Sequence, residues 1–205
     1  YAENILSVTG EYYGVEKTIE KEFAVYSQRV SVIGGSGGGN SSPSSGASAG
    51  SCAHVSPVSI ASQETDAQGI AFSKSGDKMF IVGTSSDAVN EYTLTGAYCI
   101  GTASFVDAFS ISSQEGAATG VAFSKSGEKM FIVGNVGDEV NEYTLTVAWD
   151  VSTASFVDSF SVNSQEATVR DIWFDSSGKT MFIVGKDGDD VNVYKLTIAW
   201  DVSTA

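Results

Sequence analysis

Carboxylate side chains recur at a fixed spacing along this chain, and their oxygen atoms are the ligands that a hard cation takes. Two sets of three acidic residues are each separated by 51 positions: Glu64, Glu115 and Glu166, and Asp87, Asp138 and Asp189. Since Ca²⁺ binds several carboxylate and carbonyl oxygens, the three aspartates are candidate metal ligands, and Ca²⁺ is the one cofactor that the sequence suggests. The alternative is that the acids cap turns and keep loops hydrated. It is favoured because they recur in every copy instead of clustering in one.

Aromatic residues recur with the same spacing, at Tyr98, Trp149 and Trp200. Aromatic rings presented side by side stack on sugars or anchor protein partners, so the three residues are candidate ligand-binding residues. The alternative is that each ring packs between neighbouring repeats, and the regular repetition favours that interpretation.

Catalytic groups are sparse in this sequence. His54 is the one histidine, and no serine or cysteine nucleophile motif surrounds it. Arg170, with Glu166 and Asp171, forms the one mixed-charge cluster where the repeat pattern breaks, and a local ion pair is the favoured explanation. We therefore predict no catalytic residue and do not expect an enzyme.

The elements that would position these residues follow a repeat of 51 residues. Met79–Gly83 returns as Met130–Gly134 and as Met181–Gly185. Each copy contains four short runs with strand-like patterning, named strands a to d, which in the first copy are Gly69–Phe72, Lys78–Val82, Val89–Leu94 and Ser104–Ile111. Four strands of this size per ~50 residues are the unit of a β-propeller blade.

The segment Thr119–Gly134 (TGVAFSKSGEKMFIVG) also resembles a known motif. It is similar to the strand pair that opens each blade of YVTN, NHL and lactonase-type propellers, "G-I-A-F-S-x-D-G-x-x-(M/V)-(F/Y)-V". The resemblance covers residues 53–205 and implies a mainly β fold of propeller blades. It implies little about function, because this scaffold carries enzymes, receptors and structural parts alike. The third copy departs from the pattern at Arg170, Asp171 and Trp173.

In a propeller, the d–a and b–c loops share one face, and the a–b and c–d loops share the other. The carboxylates would form a ring on the first face and the aromatic residues a ring on the second. Cys52 and Cys99 would lie on the same face of neighbouring blades, which predicts a disulfide, with two thiols as the alternative. Closing their separation of 47 residues would stabilise the fold by roughly 4 kcal/mol in the chain-entropy model.

The number of repeats is smaller than the roughly 4–8 blades that close a ring. The blades span about 62–111, 113–162 and 164–205, and the third is incomplete. Ala53–Ile60 aligns with strand d, so the region opens with a d strand and stops after a c strand and its connection. The favoured interpretation is that further blades belong to a longer chain. The alternatives are two chains joining head to tail into six blades, or a stack that is not a propeller.

Two further segments precede the repeats. Residues 34–52 are rich in Gly and Ser, which is typical of a flexible linker. Residues 1–33 are too short to bury a core of their own and are interpreted as an attachment or oligomerisation segment. Val15, Ile19 and Phe23 fall at helical spacing, whereas the stretch 22–32 has enough β-branched and aromatic residues for a strand, so the sequence leaves both open.

The charge balance excludes some classes of partner. The chain has 25 acidic and 11 basic residues and a net charge of -14, which argues against binding to nucleic acid or to an anionic membrane surface. No apolar run reaches the ~20 residues of a membrane-spanning helix. Two cysteines in a Ser- and Gly-rich chain favour an oxidising compartment. We therefore expect an extracellular, cell-surface or virion location.

An attachment segment, a linker and near-identical blades together suit a displayed module that meets a repetitive ligand, because weak sites add through effective concentration. The leading hypothesis is a non-catalytic adhesion or receptor-binding module for glycan or protein. The second is a structural subunit of a fibre or particle that assembles into homo-oligomers through residues 1–33. A lactonase-like enzyme, which the family resemblance implies, is the third.

Overall fold

The structure, a computed structural model, describes residues 5–12, 15–22 and 57–205, the first two by their backbone. The chain forms two units, Tyr1–Gly46 and Ala47–Ala205. Cys52, His54 and the whole predicted linker, residues 34–52, lie outside the described residues. No helix in the described part of the chain is long and apolar enough to cross a membrane.

In the first unit, two strands form an antiparallel hairpin. Strand β1 is Ile5–Tyr12 and strand β2 is Val15–Glu22, and the pairing runs from Ile5 opposite Glu22 to Tyr12 opposite Val15. The choice left open between helix and strand is therefore decided for residues 15–22. The spacing of four between Val15 and Ile19 suits a helix face, but it is also even, as the two-residue period of a strand requires.

Residues 57–205 form three antiparallel sheets whose strands follow chain order. The first sheet contains β3 (Ala67–Phe72), β4 (Lys78–Gly83), β5 (Ala88–Thr93) and β6 (Ser104–Ser110). The second contains β7 (Ala118–Phe123), β8 (Lys129–Gly134), β9 (Glu139–Leu145) and β10 (Ala154–Ser161). The third contains β11 (Val169–Phe174), β12 (Thr180–Gly185) and β13 (Val191–Lys195). The predicted mainly β fold of four-stranded blades is confirmed.

The turn between the first two strands of each sheet needs glycine. Gly76, Gly127 and Gly178 have φ values of 71°, 78° and 70°, a left-handed conformation that glycine adopts without steric cost. After the third strand of each sheet the chain makes a short 3₁₀ turn: Ile100–Thr102, Val151–Thr153 and Val202–Thr204.

The core lies between the sheets, which stack face to face. Phe80, Val82 and Val89 of the first sheet pack against residues of the second, including Met130 and Ile132. The same positions of the second sheet, led by Phe131, pack against the third. Phe80 and Phe131 have no exposed surface, and burying such a side chain contributes roughly 2–3 kcal/mol.

Candidate functional site

The two tryptophans of the candidate ligand-binding set lie between sheets. Trp149 stacks on Phe80 of the first sheet at a ring-centroid distance of 6.2 Å and lies 5.2 Å from Phe123 of the second. Trp200 repeats this between the second and third sheets, 6.1 Å from Phe131 and 5.1 Å from Phe174. Both rings are half-buried, so packing between repeats accounts for most of their surface.

Tyr98, at the matching position of the first sheet, is different. Its ring contacts Phe72, with centroids 5.4 Å apart, and 56% of the residue is exposed. All three aromatic residues have positive φ, between 58° and 64°, which directs each ring over the turn glycine of its own sheet: a Cβ on Gly127 would lie 2.2 Å from Trp149. Tyr98 is therefore the candidate with a ring open to a ligand.

An ion pair between a half-buried lysine and a buried glutamate fastens each described sheet to the next. Lys78 Nζ lies 2.7 Å from Glu91 Oε1 and donates to the carbonyl oxygen of Trp149 at 2.8 Å. Glu91 Oε2 accepts the N–H of Val151 at 2.9 Å. We call this arrangement the inter-sheet clamp. Breaking a buried, hydrogen-bonded pair by removing one partner costs about 3–5 kcal/mol.

The second junction repeats the clamp. Lys129 pairs with Glu142 and donates to Trp200 O at 2.7 Å, and Glu142 Oε2 accepts the N–H of Val202 at 2.9 Å. The sequence alone did not predict the role of these lysines and glutamates. The signal was the recurrence of Lys and Glu in the first two copies and their replacement in the third.

A groove of about 410 Å³ opens at this junction. It is lined by residues that include Ser124, Ser126, Glu128, Lys129, Thr144 and Trp200. Of these residues, Ser126 and Glu128 are exposed and Trp200 is half-buried. The first junction has residues of the same kind at the same repeat positions: Ser73, Ser75, Asp77, Lys78, Thr93 and Trp149. We call these positions the junction groove.

The repeated glutamates are buried instead of lying on a hydrated loop. Glu115 is 1% exposed and accepts the N–H groups of Ala117, Val136 and Gly137 at 2.8, 3.2 and 3.1 Å. Glu166 accepts from the N–H groups of Thr168, Asp187 and Gly188 in the same way. Each carboxylate therefore fixes the loop between the second and third strands of its sheet.

The pKa of Glu64 reflects this role. Burial acts to raise its pKa, but hydrogen bonds from the Ser86 hydroxyl and from the N–H groups of Asp66, Ser86 and Ser85 outweigh burial and lower it. The pKa of Glu166 is also lowered, by N–H donors that overcome burial. Both groups are held as charged acceptors, which suits loop fixation.

The three aspartates predicted as metal ligands occupy tight turns. Asp87, Asp138 and Asp189 have φ values of 47°, 51° and 52°. The carbonyl oxygens of Asp87 and Asp138 accept the N–H groups of Ile111 and Val162. Among residues 57–205, no three His, Cys, Asp or Glu side chains come together as a metal site. Calcium binding by these residues stays a prediction.

The remaining predicted residues are dispersed. Within residues 57–205 the ion pairs are Lys78–Glu91 and Lys129–Glu142, so the ion pair predicted for Arg170 is absent there. Asp171 Oδ1 instead accepts the N–H of Ile172 at 2.9 Å. Cys99 is not a free thiol, and because Cys52 lies outside the described residues, the disulfide between them stays a prediction.

Comparisons with known proteins support the fold. No family model and no curated protein matches the sequence. A protein from Lactobacillus plantarum aligns with a TM-score of 0.50 and 13% identity over 64% of this chain and 38% of its own. A functionally unknown protein from Desulfotomaculum acetoxidans aligns at 0.49 and 17%, covering 65% and 39%. A candidate 6-phosphogluconolactonase from Bacteroides uniformis aligns at 0.49 and 16%, covering 64% and 37%.

These similarities show the fold alone. The three sheets are propeller-like blades. The chain spans about two fifths of the length of each of these structures, and the identities are too low to carry an activity from one protein to the other.

Proposed function

We propose that the repeat region is a non-catalytic binding module for glycan or protein, displayed on a cell surface or a virion appendage. The observation that carries this proposal is the junction groove, which is lined by an exposed carboxylate, a lysine, hydroxyl groups and the indole of Trp200. Sugars hydrogen-bond to such polar groups and make apolar contacts with aromatic side chains, so the groove offers both kinds of contact.

Repetition strengthens this proposal. The groove residues occur at both junctions between described sheets, so one chain would present two similar sites to a repetitive ligand. Weak sites that engage together gain affinity through effective concentration. The Gly/Ser composition of residues 34–52 suits a tether that lets the module reach such a ligand.

The proposal excludes catalysis by the repeated glutamates. Glu64, Glu115 and Glu166 each accept hydrogen bonds from the loop that they fix, and none is exposed. A general acid or base must reach a proton on the substrate. A buried carboxylate that already accepts several N–H donors is poorly placed for that role.

Glycan binding is the experiment that tests the proposal. A glycan array with the full chain identifies a ligand, and calorimetry then compares the wild type with Glu128→Gln. Losing a hydrogen bond to a charged group costs about 1.5–3 kcal/mol, so we expect binding at that groove to weaken at least tenfold. Glu139→Gln, which lies outside the groove, is the matched control. No glycan bound by the wild type, or equal affinities for the two variants, would contradict a glycan site in the groove.

A structural subunit is the second candidate, and the hairpin of β1 and β2 favours it. A hairpin of two strands is marginally stable by itself in water, and its outer edges can add strands from other copies. Deleting residues 1–33 and measuring assembly size by light scattering tests this role. Assembly that persists after the deletion would contradict it.

A further inference from the structure

The outward face of the third sheet is apolar where its counterparts are buried. Phe182, Val184 and Val191 match Phe80, Val82 and Val89, which pack against the second sheet. In the third sheet Val191 is 60% exposed. Trp173, in place of the alanine of the other copies, is 62% exposed, and the residues enclose a depression of about 270 Å³. We call this surface the terminal face.

The terminal face lacks the inter-sheet clamp. Thr180 and Val193 stand where the first two sheets have the paired Lys and Glu, and Val193 is 54% exposed. A sheet like the second one would bring a valine N–H to this face, as Val151 does to Glu91. With no carboxylate to accept it, that buried N–H would cost about 1–3 kcal/mol. The terminal face therefore suits a sheet that needs no clamp.

The first sheet is such a sheet. The N–H of Ile100, which matches Val151, donates to the carbonyl oxygen of Tyr98 at 3.0 Å within its own turn. The donor and the acceptor that a clamp would engage are thus paired with each other. At a junction between the terminal face and a first sheet, one side lacks the Lys–Glu pair, and the other side lacks the unpaired N–H and carbonyl groups that such a pair would bind.

Residues 57–60 align with positions 108–111 at the end of the fourth strand, and they pair with no strand in the described part of the chain. The N–H groups of Gln63 and Glu64 donate to Ile60 O, as those of Gln114 and Glu115 donate to Ile111 O after β6. Val58 and Ile60 pack beside Tyr92, as Phe109 at the end of β6 packs against Tyr143. In the described part of the chain, β13 is the outer strand of its sheet, whereas the matching strands β5 and β9 have β6 and β10 beside them.

Pro57 is compatible with a fourth strand formed by residues 57–60. It aligns with Ala108 and Ser159, whose N–H groups donate to the preceding aspartates at 2.7 and 2.8 Å beside a register shift in each outer strand. Proline has no N–H and is accepted in sheets at such irregular positions. A fourth strand can therefore carry proline there without losing a bond to its neighbour.

From these observations we infer that two copies of this chain associate head to tail. The terminal face of one copy covers the first sheet of the other, and residues 57–60 of the second copy add to β13 as its fourth strand. By the pairing of Ala88 with Ser110 in the first sheet, Asp190 lies opposite Ser59 of the second copy. Two such junctions would join the six described sheets of the two copies, a number within the roughly 4–8 blades of a closed propeller ring.

Solution mass and a restored clamp form the first test. Light scattering of the full chain is expected to give about twice the 21.4 kDa of one chain. The double variant Thr180→Lys with Val193→Glu rebuilds the ion pair and is expected to yield monomers. In the dimer this pair would be buried against Tyr98 O and the N–H of Ile100 of the other copy, which are already bonded to each other. Val136→Lys, an exposed position outside the terminal face, is the control and should stay dimeric. A monomeric wild type would overturn the inference.

Cysteine pairing tests the register and separates this association from one through residues 1–33. Chains with Ser59→Cys and chains with Asp190→Cys are mixed and oxidised. Opposed residues of antiparallel strands have Cα atoms about 4.5–5.5 Å apart, within the range of a disulfide. We expect a covalent dimer in the mixture and none in either variant alone. A dimer that resists the double variant, or cross-links only between identical chains, would overturn the head-to-tail arrangement.

Discussion

The junction between the second and third sheets and the terminal face use the same positions of the repeat in opposite ways. At the junction, Phe131 is buried and Glu142 is paired and hydrogen-bonded. At the terminal face, Phe182 is half-buried beside an open depression and Val193 replaces the glutamate. The difference separates two sets of residues in each sheet. One set forms the strands of the sheet, and the other determines which neighbouring sheet can pack against it.

The largest loss of folding stability is expected when a buried ring is removed from a junction between sheets. Phe131→Ala removes a fully buried ring and should destabilise the fold by about 3–5 kcal/mol. Phe182→Ala, at the same repeat position of the terminal face, should cost less in a monomeric sample. Urea unfolding at low protein concentration measures both. Equal losses would contradict the contrast between the two faces.

The next effect is expected from the clamp. Glu142→Ala leaves Lys129 without its ion-pair partner and the N–H of Val202 without its acceptor, and should lower the stability of the fold by about 3 kcal/mol. Val193→Ala, measured at the same low protein concentration, removes the corresponding side chain of the terminal face, where no clamp exists, and is the matched control. If the two variants have the same unfolding midpoint, the clamp does not stabilise the junction.

A smaller effect is expected at the turn glycines. In Gly127→Ala, the new Cβ would lie 2.2 Å from the packed ring of Trp149, at a φ of 78°, and the strain of a left-handed residue alone costs about 1–2 kcal/mol. In Gly76→Ala the opposing ring is Tyr98, which is exposed and can move outward. Thermal unfolding should therefore show the larger loss for Gly127→Ala, and the reverse order would show that Trp149 is not fixed between the sheets.

Features that arise within one repeat could be predicted from the sequence. The apolar run Lys78–Val82 predicts a strand and Gly76 predicts the turn before it, because both depend only on residues close in sequence. The structure has β4 at Lys78–Gly83. The clamp could not be predicted in this way. Lys78 donates to a carbonyl oxygen 71 residues away along the chain. This contact depends on how two sheets stack, which hydrophobic periodicity does not specify.

The candidate site shows the same limit. The recurrence of Trp149 and Trp200 predicted their packing between repeats, because identical neighbours impose identical contacts. The burial of Glu64 was not predicted: an acidic residue beside a turn resembles any hydrated loop residue in sequence. It is 2% exposed because the loop folds its N–H groups around the carboxylate.

The smallest effect is expected from pH. The folded-state pKa of Glu166 lies below its ordinary value near 4.5, so its contribution to stability is fully present above that value and is lost as pH falls through the lower folded pKa. Glu166→Gln should be less stable than the wild type at pH 7, and its urea midpoint should fall less steeply between pH 5 and pH 3. Exposed Glu128→Gln is the control. Parallel curves for wild type and Glu166→Gln would mean that the loop does not depend on the charged carboxylate, and the contrast between buried loop acids and rim acids of the junction groove would be lost.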